Sequence, residues 1–159
     1  MCYFYTKTTK TKNQKRKKMK VLAKLDIQKI QYMNIFEKIM KIKAKYCFTY
    51  DNTIIFTVPK KHVTKAIGKN AQNVNKLSER LNRKVKIVAT PTSSIDLDYF
   101  ISVIIFPYKF KRLSLQNHEL TIFSAPREKA ALIGRGKKRL KKLSEVLERF
   151  FNIKKVTIK

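Results

Sequence analysis

The sequence A-I-G-K-N-A at residues 66–71 recurs in altered form as L-I-G-R-G-K at residues 132–137. The two phrases contain all three glycines of the chain, Gly68, Gly134 and Gly136. Glycine is needed where a backbone adopts a positive φ or approaches another molecule closely. A sequence that keeps glycine only here therefore indicates that both phrases form functional loops.

An internal duplication explains the repeated phrase. Each phrase is followed by apolar residues at positions i, i+3 and i+7, the spacing of one face of a helix. The segment K-L-S-E at 76–79 recurs unchanged at 142–145, at the same offset as the glycine phrases. The apolar residues are Val74, Leu77 and Leu81 in the first copy and Leu140, Leu143 and Leu147 in the second. We infer two related units.

Hydrophobic patterning predicts the same order of elements in each unit: helix, strand, strand, helix, helix, strand. In the first unit Asp26 caps a helix that runs to about Lys43. The inner side of this helix is predicted to be Ile27, Ile30, Met33, Phe36 and Met40. The other elements are strands at 46–50 and 53–58 around an Asp51-Asn52 turn, helices at 61–67 and 71–82, and a strand at 84–88.

The second unit follows a linker at 89–94. Its leading helix ends at Pro107 and is predicted from the apolar stripe Leu97, Phe100, Ile101, Ile104 and Ile105. Its strands are predicted at 110–115, 119–124 and 155–159. The fold class is therefore α+β, with two tandem domains at 21–90 and 91–159 that each contain a three-stranded sheet packed by helices.

The charge of the chain indicates its partner. It has 38 Lys and Arg against 10 Asp and Glu, a formal net charge of +28. Such a surplus repels itself and favours a polyanion, and we expect nucleic acid rather than a membrane surface. Residues 1–20, which are basic and polar, are predicted to be a disordered arm that contacts nucleic acid. Alternatively, translation starts at Met19 and residues 1–18 are absent from the native protein.

No catalytic or metal-binding pattern is found. Cys2 and Cys47 form no C-x-x-C motif, and His62 and His118 stand alone. We expect no enzymatic activity, no cofactor and no metal site. The sequence contains no apolar run of membrane-spanning length, so we expect a soluble, cytoplasmic monomer without a membrane partner.

Two helices around a glycine loop, backed by a three-stranded sheet, are the signature of the KH domain. Loop amides and the N-terminus of the following helix can contact a nucleic-acid backbone, and an apolar groove beside them can receive unstacked bases. The leading helix makes the element order that of the type II KH fold. The groove aliphatics are predicted to be Ile67, Val74 and Ile87 in the first unit and Ile133, Leu140 and Ile158 in the second.

With its two units in tandem, the chain resembles the archaeal NusA-like transcription termination and antitermination proteins over about 20–159. The residues that carry the resemblance are N-I-F-E-K at 34–38, A-I-G-K-N-A-Q-N-V at 66–74, I-G-R-G-K at 133–137 and F-F-N-I-K-K-V-T-I-K at 150–159. The resemblance implies tandem KH domains that bind the single-stranded nascent transcript beside the RNA polymerase elongation complex and modulate termination. The alternative is a KH protein associated with the ribosome or with rRNA processing, which fits the same charge.

The candidate RNA-binding residues surround the two loops. They are Ile67, Gly68, Lys69, Asn70, Ala71, Gln72, Asn73, Val74, Ile133, Gly134, Arg135, Gly136, Lys137, Lys138, Arg139 and Leu140. Both loops depart from the family pattern, because Ala71 and Lys137 stand where the last glycine of Gly-x-x-Gly is usual. Ala71 should keep the loop, whereas the bulkier Lys137 is expected to disturb it. Arg139 also replaces the asparagine that the first copy keeps as Asn73.

Overall fold

The computed structural model describes residues 27–159, so the predicted basic arm and the predicted Asp26 cap lie outside the described residues. Each glycine loop forms a short 3-10 turn between two helices. The helices are α1 (27–40), α2 (Val63–Ile67), α3 (Gln72–Leu81), α4 (Leu97–Ile105), α5 (Pro126–Ile133) and α6 (Lys138–Phe151). The strands are β1 (Tyr46–Tyr50), β2 (Thr53–Val58), β3 (Val85–Ala89), β4 (Arg112–Gln116), β5 (Glu119–Phe123) and β6 (Lys155–Ile158).

Two three-stranded sheets of the same topology organise the described part of the chain. In the first half (α1–β3), β2 is antiparallel to β1 and parallel to β3. In the second half (α4–β6), β5 is antiparallel to β4 and parallel to β6. The predicted α+β class and the duplicated element order are confirmed.

Both hairpins close in two residues, as the sequence predicts. Asp51 and Asn52 have φ of 44° and 63°, and Asn117 and His118 have φ of 46° and 62°. Two consecutive positive φ angles twist the chain in the sense that suits paired strands, and Asx residues tolerate them best. The β4 strand lies slightly later than the predicted 110–115.

The predicted inner face of α1 is partly wrong. Ile27 and Ile30 are 57% and 58% exposed, whereas Phe36 and Met40 are buried. The apolar stripe therefore extends beyond the core, which only the C-terminal half of the helix reaches. The helix also ends before the predicted Lys43, because Lys41 has a left-handed φ of 55°.

The first sheet is buried on both faces. Along β2, Ile54 and Phe56 pack with α1 and α3, in a core that includes Phe36 and Leu77. The intervening Ile55 belongs to a second core with Phe48, Tyr50, Val88 and the apolar stripe of α4. Because successive strand residues point to opposite faces, the first half offers one face of its sheet to its own helices and the other to the second half.

The equivalent outer face of the second sheet is polar. Ser114 and Thr121 occupy the register positions that Phe48 and Ile55 occupy in the first sheet, and Gln116 takes the position of Tyr50. Gln116 is exposed and the other two are half-buried. The apolar face of the first sheet buries against the second half, while the polar equivalent in the second sheet disfavours stacking of another unit in the same way.

Candidate nucleic-acid interface

The two glycine loops have the same backbone conformation. Gly68 has φ 74° and ψ 170°, and Gly134 has φ 68° and ψ 167°. Two left-handed residues follow at corresponding positions: Asn70 (51°, 34°) and Ala71 (57°, 21°) in the first loop, Gly136 (60°, 27°) and Lys137 (59°, 22°) in the second. Contrary to expectation, Lys137 leaves the geometry of the second loop undisturbed.

The first glycine of each loop cannot carry a side chain without strain. Its φ and ψ fall in a region that is essentially restricted to glycine. A Cβ at Gly68 would lie 2.7 Å from Nδ2 of Asn73, and one at Gly134 would lie 3.0 Å from Cγ of Arg139. At Gly136, by contrast, a Cβ would meet nothing within 4 Å. A side chain at Gly136 would therefore point into open space, and Asn70, the corresponding residue of the first loop, is exposed.

Asn73 and Arg139 do the same structural work in the two halves. Asn73 Nδ2 donates to the carbonyl oxygen of Lys65 at 3.2 Å, and Arg139 Nη1 donates to that of Ala131 at 2.8 Å. Each bond ties the helix before the loop to the helix after it. The sequence predicts that both residues bind RNA, and in the structure these donor groups hold the loop.

Arg139 also reaches the first half. Its Nε donates to Asp51 Oδ1 at 2.8 Å, and its guanidinium lies 4.8 Å from the ring centre of Tyr108. The hydrogen bond to Asp51 raises the pKa of Arg139. The sequence shows no signal of this contact. Asp51 lies in the hairpin turn of the first half, whereas Arg139 lies in the first turn of α6 in the second half.

Further contacts fix the halves relative to each other. Lys86 Nζ donates to the carbonyl oxygens of Val103 and Phe106 at 3.0 and 2.9 Å, at the C-terminal end of α4. A cation at this end of a helix is favourable, although burial lowers the pKa of Lys86. The ring of Phe150 contacts three others, at centroid distances of 5.1 Å to Tyr46, 6.0 Å to Phe48 and 5.1 Å to Phe100. The two loops are thus held on one frame.

The predicted groove aliphatics separate into two groups. Ile67 and Val74 are partly buried and pack on the first core, and Ile133 and Leu140 do the same on the second. Ile87 and Ile158 are buried, at 8% and 6% exposure, and are core residues. The four partly buried side chains beside the loops are therefore the apolar surface that remains accessible.

Exposed cations surround both loops. Lys142, by contrast, is paired with Glu145 at 2.7 Å. The exposed cations are Lys65 and Lys69 near the first loop and Arg135, Lys137, Lys138 and Lys141 near the second. Lys65 is not among the candidate residues predicted from the sequence, because it lies in the short helix before the glycine phrase.

Cys47 is the cysteine of residues 27–159, and it forms no disulfide. No group of three or more His, Cys, Asp or Glu side chains within this range could hold a metal ion. Cys47 is buried, and burial raises the pKa of its thiol to about 12, which opposes nucleophilic reactivity. No helix within the described range is long and apolar enough to cross a membrane.

Comparison with known proteins places the chain beside archaeal relatives, although no family model matches it. Relatives named "Probable transcription termination protein NusA" occur in Thermoplasma acidophilum (25% identity over 85% of this chain and 94% of the relative), Methanocaldococcus jannaschii (27%, 86% and 75%) and Methanococcus vannielii (24%, 85% and 79%). A solved structure described as "Crystal structure of APE1850" aligns with a TM-score of 0.55 and 27% identity, over 84% of this chain and 99% of that one. The predicted resemblance to NusA-like archaeal proteins is confirmed.

Proposed function

We propose that this NusA-like chain is a single-stranded RNA-binding factor that acts in transcription termination or antitermination through two type II KH domains, at 21–90 and 91–159. The observation that carries the proposal is the duplication of one glycine-loop conformation in two halves that a shared core holds together. The similarity to archaeal proteins named for transcription termination supports the same function.

Each loop supplies a site for the RNA backbone. The first glycine lets the chain turn sharply at the end of α2 or α5, and the following helix begins directly after the left-handed residue. A helix N-terminus offers unpaired amide donors and a positive dipole end, which suit a phosphate. The surrounding cations add an attraction that does not depend on RNA sequence.

The accessible aliphatics beside each loop would receive bases. Ile67 and Val74 in the first half, and Ile133 and Leu140 in the second, are adjacent to the loop and partly exposed. Bases of a single strand can be unstacked and placed on such a surface, whereas those of a duplex cannot. In this proposal the chain acts by binding RNA and has no catalytic activity.

The fixed arrangement of the two sites favours one continuous strand over two independent ones. Once one loop holds RNA, the second loop meets the same strand at a raised effective concentration. The proposed partners are the nascent transcript and the RNA polymerase elongation complex, with the chain as a monomer in the cytoplasm.

Crosslinking in cells tests this function. A tagged chain should crosslink to nascent transcripts of many genes and co-purify with RNA polymerase. Crosslinks concentrated on precursor ribosomal RNA, with co-purification of ribosomal particles, would instead establish the alternative KH function in ribosome assembly.

A further inference from the structure

One stretch of this basic chain lacks positive charge entirely. Residues 87–108 contain no Lys or Arg, in a chain where these account for 38 of 159 residues. The same stretch holds Asp96 and Asp98. It also presents large apolar side chains to solvent, because Ile95 is 89% exposed and Tyr99 is 62% exposed.

These exposed side chains border a cavity at the junction of the two halves. Its volume is about 270 Å³, and its walls combine the end of β3, the connection to α4 and the first turn of α4. The cavity is several times larger than the roughly 30 Å³ of a water molecule, so it can receive a side chain. The apolar walls are Ala89, Pro91, Ile95, Tyr99 and Phe100.

The wall of the cavity contains one buried hydroxyl group, that of Thr90. Thr90 lines the cavity and is only 8% exposed, and its Oγ1 has no hydrogen-bond partner among the described residues. Leaving a buried hydroxyl unpaired is unfavourable. The Oγ1 atom itself is closed off from solvent, so Thr90 contributes to the wall of the cavity through its other atoms.

The rim of the cavity is acidic on one side. Asp96 accepts hydrogen bonds from the backbone N and the Oγ1 of Thr92, at 3.0 and 3.2 Å. These bonds lower the pKa of Asp96, so it is ionised at neutral pH. Asp98 is exposed on the same turn, and Lys60, which also lines the cavity, contributes to lowering the pKa of Asp96.

This combination disfavours RNA and fits a protein. A phosphate backbone at the cavity would meet two carboxylates against one cation, Lys60, and residues 87–108 lack the cations that flank the glycine loops. A concave apolar site with an exposed aromatic residue and a charged rim is typical of the anchor position of a protein interface.

We propose that the cavity bounded by Thr90, Ile95 and Tyr99 docks a protein segment, which inserts one large apolar side chain and places Lys or Arg beside Asp96 and Asp98. This surface uses neither glycine loop. The chain would therefore hold RNA and a protein at the same time, as a factor that links a transcript to another component must do.

A library of random 12-residue peptides displayed on phage is the probe. Selection against the full chain, with saturating RNA present, is followed by counter-selection on the Ile95→Ser/Tyr99→Ser variant to remove peptides that bind elsewhere. We expect enrichment of peptides with an aromatic or long aliphatic residue next to Lys or Arg. Enrichment of acidic peptides alone, or of no motif, would overturn the proposal.

Matched variants locate the binding. Tyr99→Ser and Asp98→Lys should each weaken a selected peptide at least tenfold, because they remove the anchor wall and the charge complement. Ile30→Ser and Glu37→Lys make the same kinds of change on α1, which contributes no wall of the cavity. These two variants should leave the affinity within twofold, and equal losses in all four would contradict the assignment.

The remaining occupants give distinct results. If Tyr99→Ser lowered the affinity for single-stranded RNA tenfold, the cavity would be a nucleotide site and the proposal would be wrong. If the chain dimerised with rising concentration and Tyr99→Ser abolished the dimer, the occupant would be a second copy. Failure of RNA binding itself would leave the peptide result interpretable, because no residue of either glycine loop lines the cavity.

Discussion

Arg139 Nε donates a hydrogen bond to Asp51 Oδ1 at 2.8 Å, and this contact joins the second glycine loop to the hairpin of the first half. The same guanidinium donates a hydrogen bond from Nη1 to the carbonyl oxygen of Ala131, in the helix that precedes the second loop. Arg139 thus occupies the position of Asn73, performs its local role and adds a link across the molecule. A change in the first half can therefore reach the second loop through one side chain.

A double-mutant cycle should detect this link. Because the pair is partly exposed, we expect a coupling free energy of about 0.5–1 kcal/mol between Asp51→Ala and Arg139→Ala. Arg139→Ala alone should cost more, since it also loses the contacts with Ala131 and Tyr108. Chemical denaturation measures all four proteins. Additive effects of the two substitutions would contradict the link.

The left-handed residues that close the loops should be sources of strain. Ala71 and Lys137 have φ of 57° and 59°, where a Cβ costs about 1–2 kcal/mol. Replacing these residues by glycine relieves this strain, but part of the stabilisation is offset because glycine has more conformational freedom in the unfolded chain. Ala71→Gly and Lys137→Gly should therefore raise the free energy of unfolding by about 0.5–1 kcal/mol.

The next residue in each loop provides the control. Gln72 and Lys138 have helical φ of −51° and −61°, so glycine there should lower the free energy of unfolding by about 1 kcal/mol. Denaturant midpoints of the four variants should rise for Ala71→Gly and Lys137→Gly and fall for Gln72→Gly and Lys138→Gly. The same sign at adjacent positions would show that the loop conformation is different.

Phe150 should couple the two halves through its aromatic contacts. Phe150→Ala removes the ring that touches Tyr46 and Phe48 of the first half, and we expect a cost of about 2 kcal/mol for this partly buried side chain. Phe151→Ala is the matched change, because Phe151 contacts Phe100 of the second half. Hydrogen exchange of β1 amides should accelerate in the first variant and far less in the second. Equal acceleration would argue against the coupling.

Local signals in the sequence were enough for much of the fold. The stripe of α4 predicts a helix whose five apolar residues are all buried. The Asp51-Asn52 turn predicts its hairpin, because two Asx residues between β-branched runs accept positive φ. The glycine phrases predict both loops, since few other residues adopt the φ and ψ of Gly68 and Gly134.

Longer-range features could not be predicted in the same way. Whether Ile30 is buried depends on how far the sheet extends beneath α1, which periodicity does not report. The second apolar face of the first sheet reflects packing between halves, which no spacing within one strand encodes. From the sequence, Arg139 is predicted only as one more cation of the second loop. Its contacts with Asp51 and Tyr108 could not be predicted, because these residues are distant in sequence.

RNA recognition should be divided between the halves. Gln72 is exposed beside the first loop and can donate to and accept from a base edge, so Gln72→Ala should reduce differences in affinity among RNA sequences. Arg135→Gln/Lys138→Gln should instead lower the salt dependence, by about 0.7 log units of slope per lost phosphate contact. Binding of an RNA panel at several salt concentrations measures both. Loss of sequence preference only in the second variant would reverse the assignment.

Negative charge placed at Asn70 and Gly136 should weaken RNA binding at both loops. Asn70→Asp and Gly136→Asp place a carboxylate where we propose that phosphate binds, and both positions accept aspartate because they are left-handed and a Cβ at Gly136 meets no atom within 4 Å. Gly136→Asn is the neutral control and reproduces the residue of the first loop. Titration with a fluorescent single-stranded RNA should show at least about a tenfold loss of affinity in the double Asp variant, with native circular dichroism, and little change in the control. An unchanged affinity in the double Asp variant would contradict RNA binding at the loops.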